Sequence, residues 1–426
     1  MHSSFPISDL TKIPVTIITA LILSHLRHPE QRKFSMGVPV YHGDFYSDDF
    51  ILNPTQGYAN LRALGPVVWM EQQNAYAVTC YNEVVHVLRN PATFISGNGI
   101  SMNDDVNALL KGSTVNSDGD EHDSRRRVTA RPLMPKGIEH LEKYIHETAQ
   151  ALGDRLVDQK IFDAISEFAQ ILPLSIVIDL VGLDESGRQN MLAWGSAVFD
   201  VMDGHNERSQ VAFETLVGLR TYLDKYGRAE YLKKGGLARR IFELAPEHGF
   251  SEADAAQMMR DYISPSLDTT ISASGYMAYF FATHPDQWEL LLSNPDLVPN
   301  AIEEVVRLTT PIRSFSRYVA EDTEISGTKI EKGSRVMVIY GSANRDETFW
   351  DEPDRFDITR NVRKHVGFGH GVHLCMGMHL ARREMINLLE AMRTRVARWE
   401  LNGSPEIQMN NSIRAFSKLP IKITPQ

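Results

Sequence analysis

The stretch from Ser251 to Pro285, SEADAAQMMRDYISPSLDTTISASGYMAYFFATHP, constrains this chain more than any other. Ser251 and Asp254 have the spacing of a capping box at its start, and Pro285 stops a helix at its end. A continuous helix from Glu252 to His284 would run about 50 Å, at about 1.5 Å per residue. Its second half is apolar nearly all round, which suits a helix buried on every side. The chain is therefore expected to fold around this helix. Pro265 lies within it, lacks an N–H and would clash with the carbonyl of Asp261, so a local distortion is expected there.

Elsewhere helical patterns dominate, and short strands are predicted at PVVWM, AYAVTC and RVMVIY, where β-branched and aromatic residues crowd together. The expected fold class is mainly α with small β-sheets. No Gly/Ser-rich linker interrupts the 426 residues, so residues 41–426 read as a single domain behind an N-terminal extension, 1–40. The formal net charge of -10 argues against a general nucleic-acid binder, which would show a basic excess. The apolar run IPVTIITALILSHL (Ile13 to Leu26) is shorter than the about 20 residues of a membrane span. It is followed by RHPEQRK rather than a small-residue cleavage site, so an amphiphilic helix or a disordered extension is expected instead of an anchor or signal. Two cysteines, Cys80 and Cys375, cannot make a disulfide framework, and a reducing cytoplasm is the simplest setting.

Cys375 sits in FGHGVHLCMG, Phe368 to Gly377, just before an amphipathic helix pattern, MHLARREMINLLEAMRTRVARW. A lone cysteine is most often a small buried hydrophobe. Here Gly369, Gly371 and Gly377 permit a tight backbone and close approach to something flat, and a helix N-terminus stabilises a thiolate. A zinc site would need further ligands, and Cys80 is remote in sequence. A single axial thiolate on haem iron needs one cysteine only.

Phe368, Gly369, Gly371, His373, Cys375 and Gly377 match the haem-ligand loop of the cytochrome P450 family, which the chain resembles from about Tyr41 onward. Glu304 and Arg307 look like that family's Glu-x-x-Arg pair, and Arg355 in PDRF like the third member of its structural Glu-Arg-Arg cluster. The resemblance implies haem b, held between the long central helix and the Cys375 loop with its following helix, with Cys375 as the iron ligand. It implies that His122, Arg126, Arg317 and His373 hold the haem propionates, anions that call for charge-assisted donors. Asp268 and Thr269 match the family's acid–alcohol pair, a hydroxyl to hydrogen-bond dioxygen and a carboxylate to pass protons. Pro265 and Ser266 replace the usual Ala-Gly before that pair.

The implied activity is that of a soluble, cytoplasmic bacterial haem-thiolate monooxygenase. It inserts one oxygen atom from O2, using NAD(P)H electrons delivered by a flavin reductase and an acidic iron-sulfur ferredoxin. Arg125, Arg127, Arg131, Arg363, Lys364, Arg382 and Arg383 form the basic cluster expected to dock that ferredoxin. A gas-sensing or non-catalytic haem protein has no need of Asp268 and Thr269, and peroxide-driven members replace that pair. The subgroup most resembled oxidises small para-substituted aromatic acids by hydroxylation or O-demethylation. Its substrate positions fall on Asn98, Ser101, Phe199, Met202, Ser264, Leu267, Ile312 and Phe315. Asn98 lies where the subgroup tends to have a basic residue, and Asp261 stands where it has a small polar one. A neutral phenol ether is then a rival to a benzoate, unless Arg260 turns inward.

Overall fold

The computed structural model describes residues 37–426 apart from positions 180, 203 and 205, so the apolar run at Ile13–Leu26 lies outside the described residues. Among the described residues, no helix is long and apolar enough to cross a membrane. The protein is mainly helical with small sheets, as expected.

All three predicted strands form, and they share one sheet. Its strands are β1 (Val40–Tyr41), β2 (Val67–Met70), β3 (Ala75–Val78), β4 (Phe94–Ile95), β5 (Phe315–Val319) and β6 (Arg335–Val338). The spatial order is β1-β2-β3-β6-β5-β4, with β3 and β6 parallel and Ala77 opposite Met337. Every residue of β2, β3 and β6 is buried, which explains why their sequences are apolar runs rather than alternations.

The helices that build the site are α1 (Gly119–Ala130), α2 (Glu142–Gln159), α3 (Met191–Met202), α4 (Glu207–Tyr226), α5 (Glu252–Met259), α6 (Ser264–Thr283), α7 (Val298–Thr309) and α8 (Met378–Arg393). The segment expected as one helix is therefore two. The capping box at Ser251 and Asp254 forms, but α5 passes into a 3-10 turn at Arg260–Tyr262, and Ile263, at φ -86 and ψ -74, separates that turn from the next helix. Pro265 is the cause. In the first turn of a new helix its missing N–H costs nothing, whereas inside a continuous one it removes a bond and clashes. Leu267, Met277, Ala278 and Phe281 of α6 are almost wholly buried, and Phe280 stacks on Phe356 at 4.8 Å. Packed against α3, α7 and α8, α6 crosses the core and presents one face of its first turns to the cavity described next.

Candidate active site

A cavity of about 760 Å³ lies between α6, the Cys375 loop and the start of α8, with α4 and the end of α3 on its outer side. The loop owes its shape to two glycines with left-handed backbone, Gly369 (φ +72) and Gly371 (φ +71). A Cβ on Gly371 would also meet the Leu88 carbonyl oxygen at 2.2 Å. Cys375 N–H donates to the Phe368 carbonyl at 2.9 Å, which turns the chain back so that the side chain is exposed onto the cavity. Removal from bulk water pushes the thiol up. The N–H groups of Gly377 and Met378 and the charges of Arg126 and Arg382 act in the opposite direction and favour thiolate. A metal ion would complete the deprotonation.

The four residues expected to hold propionates come together on one side of the cavity. Arg126, Arg317 and His373 line it, and the His122 ring stands 4.3 Å from His373 in an edge-on contact. Nε2 of His122 and Nε2 of His373 are buried with no hydrogen-bond partner. Burial, then the charges of Arg317, His122 and Arg126, push His373 down to about 2. Two guanidiniums and two unpartnered imidazole nitrogens converging on one wall form a cradle for a dianion. With a thiol on the adjacent wall, this donor set fits haem and its two carboxylates.

Over the cavity α6 presents Pro265, Ser266, Thr269, Thr270 and Ala273. Thr269 Oγ1 donates to the Pro265 carbonyl at 2.7 Å, and Ser266 Oγ to the Tyr262 carbonyl at 2.7 Å. Asp268 does not line the cavity. Its Oδ2 is buried without a partner and lies 3.0 Å from where a Gly195 Cβ would stand on α3. Burial, with a contribution from Asp200, pushes its carboxyl up to about 8. Of the acid–alcohol pair, only the alcohol reaches the cavity.

Glu304 and Arg307 of α7 form a fully buried pair, Nε to Oε2 at 2.7 Å. Arg355 is not its third member. It is more than half exposed and pairs with Glu352 at 2.8 Å. Arg360 takes the place instead, Nε to Glu304 Oε1 at 3.2 Å. The Asp357 N–H is tied to the same oxygen and its carboxylate caps the Thr359 turn, and this folds the chain back so that Arg360 points inward.

Four of the expected substrate residues line the cavity: Phe199, Met202, Ile312 and Phe315. Three do not. Asn98 is exposed, and its carbonyl accepts from Arg335. Ser101 is buried outside the cavity, its hydroxyl accepting from the Asn103 N–H. Leu267 is core, because the helix restarts after Ile263 and sets the adjacent Ser266, Thr269 and Thr270 toward the cavity. The side chain of Ser264 lies outside the described residues.

Residues not singled out from the sequence complete the wall. Ile100, Phe213, Val217 and Leu219 add apolar surface, and Arg220 lines the cavity beside Arg260. The stripe Phe213, Leu216, Val217 and Leu223 along α4 is the signal that was there to find it. Arg260 turns inward, with its Nε buried and unpartnered. Asp261 is engaged: its carboxylate accepts the Thr114 N–H at 2.9 Å, and burial pushes it up to about 6. The basic cluster is also smaller than expected. Arg125 is buried against Glu121 and Asp254, and Arg382 and Arg383 pair with Glu303 and Glu142. Arg127, Arg131, Arg363 and Lys364 remain exposed, the last two just before the loop in the chain.

Comparison with known proteins agrees with this site. The family model described as Cytochrome P450 matches residues 236–422. The chain is 34% identical over 393 residues to cytochrome p450 CYP199A2 of Rhodopseudomonas palustris, covering 91% of this chain and 95% of that one. The chain belongs to the cytochrome P450 family. It is also 28% identical over 395 residues to linalool 8-monooxygenase of Pseudomonas putida, covering 88% of this chain and 96% of that one. Among solved structures, the Mycobacterium marinum cytochrome P450 CYP268A2 in complex with pseudoionone matches with a TM-score of 0.81 and 25% identity, over 91% of this chain and 100% of that one. The protein is thus a P450 monooxygenase, an oxidoreductase of the haem-dependent, O2-using kind.

Proposed function

We propose that this P450 inserts one oxygen atom into a small aromatic substrate that carries a carboxylate, by hydroxylation or O-demethylation. Haem supplies the oxygen-activating chemistry when bound. Cys375 holds the iron, His122, Arg126, Arg317 and His373 the propionates, and Thr269 offers the cavity its hydroxyl. Phe199, Phe213, Ile312 and Phe315 supply apolar walls for a ring.

The observation that carries the substrate class is Arg260. Burial and the neighbouring Arg220 disfavour its charge, Asp224 offsets this in part at 3.9 Å, and its Nε has no partner. A carboxylate arriving there would relieve an under-compensated cation. The sequence had set Asp261 against an anion, but its carboxylate is spent on Thr114. One charge-assisted hydrogen bond contributes about 1.5–3 kcal/mol, or about 10- to 150-fold in Kd. Spectral titration of the haem with 4-methoxybenzoate and with uncharged 4-methoxytoluene tests this. Tighter benzoate binding, lost in Arg260→Ala, is expected; equal binding that ignores the substitution would refute the acid reading.

For electrons, the exposed Arg127, Arg131, Arg363 and Lys364 suit an acidic ferredoxin reduced by a flavin reductase from NAD(P)H. Residues 41–426 act as one catalytic domain in this reading, and a cytoplasmic setting agrees with the absence of a spanning helix among the described residues.

A further inference from the structure

His365, Glu303 and Arg382 form a closed group joining α7, the Cys375 loop and α8. The Gly367 N–H donates to His365 Nδ1 at 3.1 Å, which leaves the imidazole proton on Nε2, where it is donated to Glu303 Oε2 at 2.9 Å. Arg382 takes the same carboxylate with both arms of its fork, Nε to Oε1 at 2.6 Å and Nη2 to Oε2 at 2.9 Å. Burial raises Glu303, but these donors outweigh it and bring the carboxyl to about 2, so it is an anion at any working pH. Arg382 has a second contact. Its guanidinium lies 4.7 Å from the centre of the Phe368 ring, and it is Phe368 whose carbonyl holds the Cys375 N–H. Like Arg126, it is a cation whose charge acts on the Cys375 thiol.

Glu303 is therefore bound to a cation that rests on the Phe368 ring and whose charge acts on Cys375. We propose that Glu303, by neutralising Arg382, sets the positive charge felt at Cys375 and so acts as a positioning residue for the haem reduction potential. This rests on the reading of Cys375 as the iron ligand. The reduced haem site carries one more negative charge than the oxidised site, so each change in nearby charge acts on it with a definite sign. Removing the Glu303 charge leaves Arg382 uncompensated and favours the reduced form. Removing Arg382 leaves the Glu303 charge without its guanidinium partner and disfavours it. Both substitutions break the same ion pair and loosen the same loop. A purely structural role would move the two variants in one direction; an electrostatic role moves them apart.

The test is a spectroelectrochemical redox titration of the holoprotein in four forms: wild type, Glu303→Gln, Arg382→Gln and the double variant, each checked by its ferrous–CO spectrum. Glu303→Gln is expected to raise the reduction equilibrium constant about tenfold, which is about 59 mV for one electron. Arg382→Gln is expected to lower it severalfold, and the double variant to return within about twofold of wild type. Shifts of the same sign in both single variants, or no shift beyond about twofold in either, would overturn the proposal. Should Glu303→Gln fail to retain haem, Arg382→Lys decides. It keeps the charge without the fork, and must stay near wild type while Arg382→Gln falls; equal shifts in the two overturn the idea. A wild type without the strongly red-shifted ferrous–CO band would instead remove the ligand assignment beneath it.

Discussion

Replacing Arg360 with Ala should destabilise the fold, while replacing Arg355 should not. Glu304 is buried completely and receives four donors: Nε and Nη2 of Arg307 at 2.7 and 2.8 Å, Nε of Arg360 at 3.2 Å and the Asp357 N–H at 3.2 Å. In Arg360→Ala the carboxylate keeps three of these, so the full cost of an unpaired buried charge is not incurred. The loss is one charged hydrogen bond, about 1.5–3 kcal/mol. The Nη donors to the carbonyls of Asp351, Glu352 and Arg355 go with it. A total of about 2–4 kcal/mol is expected, against about 3–5 kcal/mol for Arg307→Ala, which takes the two shortest donors from Glu304 and leaves it Arg360 and the Asp357 N–H. Arg355 makes one exposed pair with Glu352, and its removal should leave stability unchanged. Urea unfolding of the holoprotein, followed by tryptophan fluorescence, reads this directly, since Trp350 lies 5.2 Å beneath the Arg307 guanidinium. An Arg355→Ala midpoint shifted as far as that of Arg360→Ala would refute the assignment of the third cation.

Thr269→Ala removes the cavity hydroxyl and should divert NADH consumption into hydrogen peroxide with little change in substrate affinity, whereas Thr269→Ser should stay coupled; unaltered coupling in the alanine variant would point to another donor, with Ser266 and Thr270 the nearest on α6. Asp268 is raised to about 8 in the fold from an ordinary value of 3.8. Between those values the folded state holds a proton that the unfolded state has released, so the contribution to stability is full below about pH 4 and falls as pH rises through about 8. Asp268→Asn should flatten this slope and be the more stable form at pH 8, by up to several kcal/mol; urea midpoints across pH that run parallel to wild type would contradict it. Reduction by an acidic ferredoxin should slow as salt rises, because the Debye length shrinks from about 10 Å at 0.1 M to about 3 Å at 1 M. Arg127→Glu should raise the apparent ferredoxin constant, and a salt-independent rate would count against the dock.

The parts of the site that were legible in the sequence are those written in contiguous residues. The Cys375 loop declares itself through glycines whose backbone only glycine adopts freely, and Glu304 and Arg307 through their spacing on one helix. The break before Pro265 was foreshadowed by its missing N–H; the full stop of α5 and the restart of α6 were not. That restart resets the helical phase, which is why Leu267 and Asp268 face the core while Ser266 and Thr269 face the cavity. Arg360 was missed because its approach to Glu304 depends on a coil folding back, which periodicity does not encode. Asn98 and Ser101 failed for a related reason: a loop position says nothing of direction, and here the Ser101 hydroxyl serves the Asn103 turn. Arg382 looked like a docking charge because its partner Glu303 lies far away in sequence.

Everything proposed for this site depends on Cys375 being the thiolate ligand of a haem held in the cavity. The ferrous–CO spectrum of purified holoprotein, wild type beside Cys375→His, tests it most directly. A strongly red-shifted Soret band is expected in the wild type, and its loss in the variant. A band that survives the substitution, or that the wild type never shows, would contradict it.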